Sequence, residues 1–391
     1  MSVPLHLHSP AKDSRIHVLF MIDQLCEMGG AERVLLNTIR LLPKERFRCS
    51  LITFKIDSSL GIFESMPCPS YVFPMQRTLD WNSLQNAKKL RSFIRSENVK
   101  IVHTFFETAD LWGGLISKMA GVPVLVSSRR DMGILRTPKH DVAYRFLNPC
   151  FDLVLTVSEE VRRFCINKDH LAPQKVQTLY NGLELDKISR ANGAGELRAS
   201  LRLEPTAPVI TTVGNIRRVK GIDIFVETAA KVLRQFPNAV FLVIGRNSEP
   251  LHFQEIEGRI AALGIKEKVR FLGECENIFP LLKISDVFFL PSRSEGFSNA
   301  LIEAMACGLP CVATRVGGNA EALEDGRNGY LVESEDANAS ADRILRLLCN
   351  PKEAARMGAA GREIVERKFT ADIMIRQLTQ SYDRLLAADR N

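Results

Sequence analysis

The chain has 391 residues, of which 46% are hydrophobic, and carries a formal net charge of +7. This length exceeds what one hydrophobic core usually serves, so we expect two domains. No apolar run reaches the ~18 residues of a membrane span, and the start, MSVPLHLHSPAKDSR, lacks the regions of a secretory signal. The nine cysteines are scattered without C-x-x-C spacing, which favours reduced thiols. These features predict a soluble cytoplasmic protein.

The positive excess is spread thinly along the sequence and is densest in two places, 88–95 and 129–139. The first group shares a predicted helix with Leu84, Leu90 and Phe93, at spacings that put basic and apolar residues on different faces. Two interpretations stay open for that helix. It is either an ordinary solvated face or an interfacial helix that docks on anionic lipid at the inner face of the cell membrane. We expect no nucleic-acid partner.

Short β-rich runs alternate with helical stretches, which predicts parallel sheets with helices on both faces. The first set of predicted strands is 16–22, 49–54, 99–104, 122–127 and 153–158, and the second is 209–213, 240–245, 269–273, 287–290, 311–314 and 330–332. Two such sheets make two Rossmann-like α/β domains. We place the N-terminal domain at 1–182 and the C-terminal domain at 183–372, with a polar hinge region at 181–203 and a last helix at 371–388.

The stretch 286–314, DVFFLPSRSEGFSNALIEAMACGLPCVAT, predicts a buried strand, a polar loop and a buried helix. Ser298 is a fitting N-cap for this helix, and Gly308 with Pro310 ends it near Cys307. Glu303 lies in its middle with no Lys or Arg three or four residues away, so its partner must come from elsewhere. A ribose diol would supply two O–H donors to one carboxylate.

Glu295 is predicted at the carboxyl end of the strand in this stretch, where open α/β sheets bind ligands. Gly296 follows it, and the N–H groups of Phe297, Ser298 and Asn299 open the helix. Together these residues predict an anion site with a carboxylate at its rim.

A second anion-binding loop is predicted within TTVGNIRRVKGIDIF. Gly214 closes a strand, and Arg217, Arg218 and Lys220 precede the next helix. Cations at a parallel strand end suit a diphosphate, with a solvated basic turn as the alternative. Arg246, after the strand FLVIG, is placed to meet a base or a phosphate, or else only solvent.

Gly29 and Gly30 lie in the first βα turn, DQLCEMGGAE, where glycines let backbone approach a ligand. A plain tight turn is the alternative, and the absence of G-x-G-x-x-G disfavours a nicotinamide site. His103, near another strand end, is either structural or part of an acceptor site.

Several of these segments resemble the retaining, nucleotide-sugar-dependent glycosyltransferases of family 4. Glu295 and Glu303 are spaced like the E-x7-E signature of that family, and SEGF, LIEAMACGLP, VGGNAE and DGRNGYLV are also similar to it. The resemblance implies the GT-B fold, in which two Rossmann-like domains face each other across a cleft. It also implies that the C-terminal helix, 373–391, crosses back onto the first domain.

The resemblance implies a donor site in the second domain. Lys220 matches a family lysine that grips the donor pyrophosphate. Asn215 stands at the position of the partnering family arginine, so Arg217 or Arg218 would take over that role. Glu295 would orient the donor sugar, and Lys220, Arg217 and Glu295 are the predicted catalytic residues.

The resemblance places the acceptor site in the first domain. The Gly29–Gly30 turn matches the family's G-G-A-E-R turn. Arg129 stands where several members carry a catalytic-site histidine. This departure favours Arg129 or Arg130 as the ligand of an anionic group, with Asp131 as an alternative polar contact.

The predicted activity is therefore retaining transfer of a sugar from a nucleoside-diphosphate sugar, with uridine as the expected base, to a hydroxyl acceptor. The predicted setting is polysaccharide, cell-envelope or glycolipid synthesis, with a carbohydrate, lipid-linked or small soluble acceptor. We expect no cofactor beyond the nucleotide-sugar co-substrate and no metal, because no D-x-D or His/Cys cluster with ligand spacing occurs. The alternatives are a sugar-nucleotide epimerase of the same fold and a non-catalytic sugar-nucleotide-binding scaffold.

Overall fold

A computed structural model describes residues 13–57, 65–75, 81–133, 136–190 and 194–389. The chain forms two compact units. Unit 1 contains the residues up to Tyr180 and those from Met374 onward, and unit 2 contains Asn181 to Ile373. Each unit has its own parallel sheet, as the alternation of strands and helices predicts.

Unit 1 contains a seven-stranded sheet with the order β3-β2-β1-β4-β5-β6-β7. Its strands are β1 Ile16–Leu25, β2 Phe47–Ile56, β3 Ser70–Val72, β4 Ile101–Phe105, β5 Val124–Arg129, β6 Leu153–Thr156 and β7 Val176–Thr178. The five central strands overlap the predicted ones, with β4 and β5 each beginning two residues later than expected. The two edge strands, β3 and β7, were missed because SYV and VQT are not continuous apolar runs, unlike YLV of the equally short strand 330–332.

Unit 2 contains a six-stranded sheet with the order β10-β9-β8-β11-β12-β13. Its strands are β8 Val209–Val213, β9 Val240–Ile244, β10 Val269–Gly273, β11 Val287–Leu290, β12 Cys311–Thr314 and β13 Tyr330–Val332. All six were predicted, because strands covered on both faces read as continuous apolar runs. The ring of Phe225 lies between those of Phe241 and Phe289, at centroid distances of 5.6 and 5.9 Å, in the core of this unit.

Fifteen α-helices are assigned within the described ranges. They are α1 Gly30–Leu41, α2 Trp81–Ser96, α3 Leu115–Ala120, α4 Pro138–Leu147, α5 Glu159–Asn167, α6 Asp186–Ser189, α7 Ala194–Ser200, α8 Ile222–Val232, α9 Pro250–Ala262, α10 Phe279–Lys283, α11 Asn299–Ala306, α12 Asn319–Ala322, α13 Ala337–Cys349, α14 Pro351–Lys368 and α15 Ala371–Asp389. The predicted hinge region therefore contains two short helices, α6 and α7. None of the helices that the structure describes combines the length and apolar character needed to span a bilayer.

Alternating side chains of β1 face two different helical layers of unit 1. Phe20 belongs to the core cluster that includes Tyr382 of α15. His17 points the other way and meets Phe93 of α2, with 6.1 Å between the ring centroids. Met21 lies on that same side, since a Cβ atom on Gly113 would come within 2.8 Å of its Cε.

The strand order places α2, α3 and α4 together on one face of the unit 1 sheet. The connections β3 to β4, β4 to β5 and β5 to β6, which contain α2, α3 and α4 respectively, all step in the same direction across the sheet. Because parallel crossovers are right-handed, helices on successive steps in one direction lie on the same face. The Nε of Arg95 in α2 donates to the carbonyl of Ala120 at the end of α3, at 3.3 Å, which joins two members of this layer.

Candidate functional site

Lys220 and Glu295 form an ion pair at the carboxyl edge of the unit 2 sheet, with 2.7 Å between Nζ and Oε1. Lys220 ends a 3₁₀ turn after β8, and Glu295 follows β11, the neighbouring strand. The side chain of Glu295 is 7% exposed and that of Lys220 is 29% exposed. Because an ammonium group has three N–H donors, Lys220 can hold Glu295 and also donate to a phosphate oxygen.

The loop that carries Glu295 is held in place from two sides. Ser292, which is buried, donates its hydroxyl to Oε1 of Glu295 at 2.7 Å. Gly317 has a φ of +50°, and a Cβ atom there would lie 1.6 Å from the carbonyl oxygen of Glu295, so only glycine fits. The next residue, Gly318, donates its N–H to the carbonyl of Gly296 at 3.1 Å. These contacts fix the carboxylate relative to the sheet.

The start of α11 has the cap that the sequence predicts. Ser298 is the N-cap, and its hydroxyl accepts from the N–H of Leu301 at 3.3 Å. Asn299 accepts a hydrogen bond on Oδ1 from the Nδ2 of Asn181, at 2.6 Å. A helix start beside a lysine favours bound anions. It therefore extends the positive region around Lys220.

Glu303 lies in the middle of α11 and is half-buried. The other side chains of the helix interior are buried, as the apolar pattern predicts, and they are Leu301, Ile302, Ala304, Met305 and Ala306. Phe297 precedes the helix and packs its ring on that of Phe369, with centroids 5.1 Å apart. The ribose-binding role of Glu303 stays a prediction.

In the basic turn after β8, the side chains of Lys220 and Arg218 have different partners. The aliphatic stem of Lys220 runs beside Gly214, where a Cβ atom would sit 3.6 Å from Cδ. Arg218 is exposed and pairs instead with Glu255 of α9 at 2.6 Å. Arg217 is half-buried. The donor-binding roles of Arg217 and Arg218 stay predictions.

Asn215 connects the loops after β8 and β9 through a hydrogen bond that the sequence did not predict. Its Oδ1 accepts from the backbone N–H of Arg246 at 3.2 Å. At the adjacent residue, Gly245, a Cβ atom would lie 2.1 Å from the carbonyl oxygen of Gly214. The two loops after β8 and β9 are therefore pressed together, which places Arg246 beside the basic turn.

In unit 1, Arg129 lies inside the fold rather than at an open edge. Its Nε is 3.2 Å from Oδ2 of Asp110 and donates to the hydroxyl of Ser127 at 2.7 Å. Its guanidinium also donates to Oδ1 of Asn148 at 3.2 Å and lies 4.0 Å from the centre of the Tyr144 ring. Only 3% of the Arg129 side chain is exposed.

Arg130 and Asp131 line a small pocket of unit 1 together with Glu107, Arg136 and Tyr144. Burial lowers the pKa of Arg130 to about 10, although Asp131 acts in the opposite direction. Burial also raises the pKa of Glu107, and Asp131 adds to that shift. Arg136 donates to both carboxylate oxygens of Asp169, at 2.8 and 2.9 Å. Phe106, Asp110, Ser128 and Arg129 also line this pocket.

His103 is buried between two hydroxyl groups. Its Nδ1 lies 2.7 Å from the hydroxyl of Tyr382, and its Nε2 lies 2.8 Å from that of Ser128. Burial lowers its pKa to about 3. These contacts give His103 a structural role, which was one of its two predicted interpretations.

The Gly29–Gly30 turn opens α1 as predicted, with Gly29 as the N-cap and the helix starting at Gly30. A Cβ atom on Gly29 would lie 2.6 Å from Oε2 of Glu32, so the end of the Glu32 side chain would have to move. Glu32 also acts on Arg130 electrostatically and raises its pKa against the effect of burial. The turn and Arg130 are thus parts of one charged region.

Two sequence profiles match this chain and together cover most of it. The profile described as "Glycosyltransferase Family 4" matches residues 28–187, and that of "Glycosyl transferases group 1" matches residues 194–364. The chain belongs to the family 4 glycosyltransferases.

Two curated relatives of this glycosyltransferase align over most of their length. An Escherichia coli UDP-Gal:alpha-D-GlcNAc-diphosphoundecaprenol alpha-1,3-galactosyltransferase is 27% identical over 360 residues, covering 87% of this chain and 88% of the relative. A Bacillus anthracis N-acetyl-alpha-D-glucosaminyl L-malate synthase is 29% identical over 313 residues, covering 78% and 80%.

Solved structures show that the glycosyltransferase has the predicted GT-B fold. HepE from Anabaena, in complex with UDP and glucose, superposes with a TM-score of 0.83 at 22% identity, over 95% of this chain and 100% of that one. A glycosyltransferase from Rickettsia africae superposes with a TM-score of 0.84 at 21% identity, over 95% and 99%.

Sequence reasoning on the glycosyltransferase missed three residues that support the site. Ser292 forms a hydrogen bond with Glu295, and Asn181 forms one with Asn299. Arg293 joins the basic turn to the Glu295 loop, since its backbone N–H donates to the carbonyl of Val219 at 2.8 Å. A serine three residues before Glu295 was a local signal for the first contact, whereas no sequence pattern pointed to the second.

Proposed function

We propose that this glycosyltransferase moves a sugar from a UDP-sugar to a hydroxyl group of a lipid-linked acceptor, with retention of configuration. The observation that carries the proposal is the Lys220–Glu295 pair, which lies beside the start of α11 at the carboxyl edge of the unit 2 sheet. This is the edge at which open α/β sheets bind nucleotides. The proposed setting is the synthesis of cell-envelope polysaccharide or glycolipid.

The proposed reaction breaks the bond between the sugar C1 and the diphosphate and forms a bond from C1 to the acceptor oxygen on the same face. The acceptor proton passes to a phosphate oxygen of the donor, so no protein nucleophile is required. Lys220 and Arg217 would neutralise the charge that develops on the departing diphosphate. Glu295 would accept hydrogen bonds from donor hydroxyls and so orient the sugar.

The names of the relatives support the donor class and two acceptor classes. The Escherichia coli relative is named for UDP-Gal and alpha-D-GlcNAc-diphosphoundecaprenol, which combines a UDP-sugar with a lipid-linked sugar. The Bacillus anthracis relative is named for L-malate, a small hydroxy acid. A small soluble acceptor is therefore the second candidate.

Calorimetric titration tests the donor site. Wild-type protein would be titrated with UDP-glucose, UDP-galactose, UDP-N-acetylglucosamine, GDP-mannose and ADP-glucose, alongside Lys220→Ala and Glu303→Gln. We expect one UDP-sugar to bind selectively and both substitutions to weaken it at least tenfold. Lys266→Ala, at an exposed position of unit 2, is the matched control and should bind like wild type. Equal binding by all variants would refute the proposed donor site.

A transfer assay then separates the two acceptor classes. The selected donor, labelled in its sugar, would be incubated with a diphosphoundecaprenol-linked sugar or with L-malate. Label in the lipid fraction supports the proposal, and label in malate supports the second candidate. Loss of donor to free sugar alone would argue against both acceptors.

A further inference from the structure

One helical layer of unit 1 carries a local excess of positive charge, which includes the dense basic segment 88–95. The layer is formed by α2, α3 and α4, on one face of the unit 1 sheet. These three helices contain seven Lys and Arg residues against one Asp, and the whole chain has a net charge of +7. The basic residues are Lys88, Lys89, Arg91, Arg95, Lys118, Lys139 and Arg145.

The same layer carries most of the exposed apolar side chains. Eight large hydrophobic residues are exposed among the described residues, and six of them lie on these helices. They are Trp81 and Leu84 on α2, Leu115 and Met119 on α3, and Val142 and Phe146 on α4. Trp81 is 73% exposed and Phe146 is 77% exposed, which is unusual for aromatic side chains on a well-packed domain.

On α2 the two kinds of residue share a single stripe. Trp81, Leu84, Lys88, Arg91 and Arg95 follow one another at intervals of three and four residues, so they lie on one face of the helix. All five are exposed. The opposite face is buried against the sheet through Leu90, Phe93 and Ile94. The apolar end of the stripe is at the start of the helix, and the basic part follows it.

We propose that this layer is a docking surface for an anionic lipid bilayer. Basic residues at a bilayer surface are attracted to anionic headgroups, and exposed aromatic and aliphatic side chains enter the boundary between headgroups and acyl chains. A nucleic acid or an acidic protein would satisfy the cations and leave the six apolar side chains in water. The surface faces away from the unit 1 sheet and contains none of the donor residues, so the proposal does not depend on which nucleotide sugar is used.

Vesicle flotation tests the proposal on the full chain. Wild-type protein would be mixed with vesicles of phosphatidylcholine alone or with 30% phosphatidylglycerol. We expect flotation with the anionic vesicles only and its loss at high salt. Replacing three charges, Lys88→Gln, Arg91→Gln and Arg95→Gln, should weaken partition about a hundredfold. The control is Arg234→Gln, Lys266→Gln and Lys352→Gln, at exposed positions of unit 2, and it should float like wild type.

The two tryptophans provide an independent readout. Trp112 is buried and Trp81 is exposed, so Trp112→Phe leaves a single reporter on α2. We expect the emission of Trp81 to shift to the blue on anionic vesicles and to be quenched by brominated acyl chains. Trp81→Ser with Leu84→Ser should reduce flotation, whereas Leu251→Ser with Leu263→Ser should not.

Several outcomes would overturn the docking surface. Absence of flotation on anionic vesicles is one, and an equal loss in the unit 2 charge control is another. Binding to a short DNA duplex as tight as to vesicles, without a shift in Trp81 emission, would indicate a general polyanion surface. Titration of the α2 variants with UDP-sugars separates this result from the proposed function, because donor binding in unit 2 should be unchanged.

Discussion

Arg129 and Lys220 are cations near the carboxyl ends of parallel strands, one in each unit, and their surroundings differ. Arg129 ends β5 in unit 1 and lies 3.2 Å from Asp110. Lys220 follows β8 in unit 2 and lies 2.7 Å from Glu295. The Arg129 pair is 3% and 0% exposed, whereas 29% of the Lys220 side chain is open to solvent. Similar ion-pair geometry thus occurs in one closed and one open setting.

The partners of each carboxylate explain the difference. Asp110 also accepts from the hydroxyls of Thr104, Ser127 and Tyr144, and it lies wholly inside unit 1. Such a fully bonded group has no remaining capacity for a ligand. The Lys220 ammonium lies at an open sheet edge beside a helix start, where an anion can reach it. Two basic loops of the sequence thus place one cation inside the fold and leave the other accessible to solvent.

Removal of the closed cation gives the largest expected effect. Arg129→Ala leaves the buried carboxylate of Asp110 without its ionic partner, and breaking a buried pair typically costs about 3–5 kcal/mol. Urea unfolding of the variant measures this loss as a change in the free energy of unfolding. The control is Arg145→Ala, at an exposed position of α4, which should stay within about 0.5 kcal/mol of wild type. A stable Arg129→Ala protein with weaker acceptor binding would instead make Arg129 a ligand-binding residue.

Removal of the open cation should affect the reaction more than the fold. We expect Lys220→Ala to reduce the transfer rate by about 10²–10³-fold, the usual effect of losing one group that stabilises developing charge. Its free energy of unfolding should change by only about 1 kcal/mol, since the lysine is partly exposed. Arg218→Ala is the neighbouring control, because its guanidinium is engaged by Glu255, and its rate should stay near wild type. A large loss of rate in the control would return Arg218 to the donor site.

A buried titratable group in unit 1 sharpens the comparison through pH. The pKa of His103 is about 3 in the folded protein, because of burial, and about 6.5 when unfolded. Because the pKa is lower in the folded protein, the unfolded chain binds a proton more readily. Protonation therefore does not lower the free energy of unfolding above about pH 6.5, and it lowers it progressively as the pH falls toward 3. At pH 5 the loss amounts to about 2 kcal/mol.

Urea unfolding at pH 7 and pH 5 measures this contribution. In His103→Gln the change between the two pH values should be smaller than in wild type by that amount. His170→Asn is the control, because His170 is exposed at a φ of +53°, which asparagine tolerates. Equal pH dependence in wild type and His103→Gln would show that His103 does not titrate as proposed.

Features that depend on neighbouring residues in the sequence were predictable. The strands of unit 2 and the cap of α11 follow from apolar runs and from Ser298 and Gly308, which act within a few residues. The acids and the lysine of the predicted donor site were proposed because they belong to short motifs, and their roles stay predictions. The edge strands β3 and β7 escaped detection because their three residues include polar ones and show no apolar run.

Features that depend on long-range contacts were not predictable. Arg129 meets Asp110, 19 residues earlier, so the sequence shows a basic loop and hides its buried partner. The charged layer of unit 1 is similar, since α2, α3 and α4 are far apart in sequence and become neighbours only through the strand order. In both cases the fold decides whether a charged side chain is buried or exposed, and which residues surround it.

Arg293 provides the last and smallest test, because it positions the open site without being its predicted ligand. Its guanidinium donates to both oxygens of Asp223, at 2.9 and 2.8 Å, and to the carbonyl of Arg218 at 2.6 Å. It also pairs with Glu335. It therefore ties the turn that ends at Lys220 to the loop that leads to Glu295.

We expect Arg293→Ala to weaken binding of the UDP-sugar about tenfold, since the turn loses charge-assisted hydrogen bonds worth about 1.5–3 kcal/mol. Arg293→Lys should recover only part of this, because a lysine cannot form the two-pronged contact with Asp223. Glu335→Gln removes the outer partner, which is more than half exposed, and should leave donor binding unchanged. Calorimetry and steady-state rates measure both effects. If Arg293→Ala binds donor like wild type but unfolds more easily, the residue stabilises unit 2 and does not position Lys220.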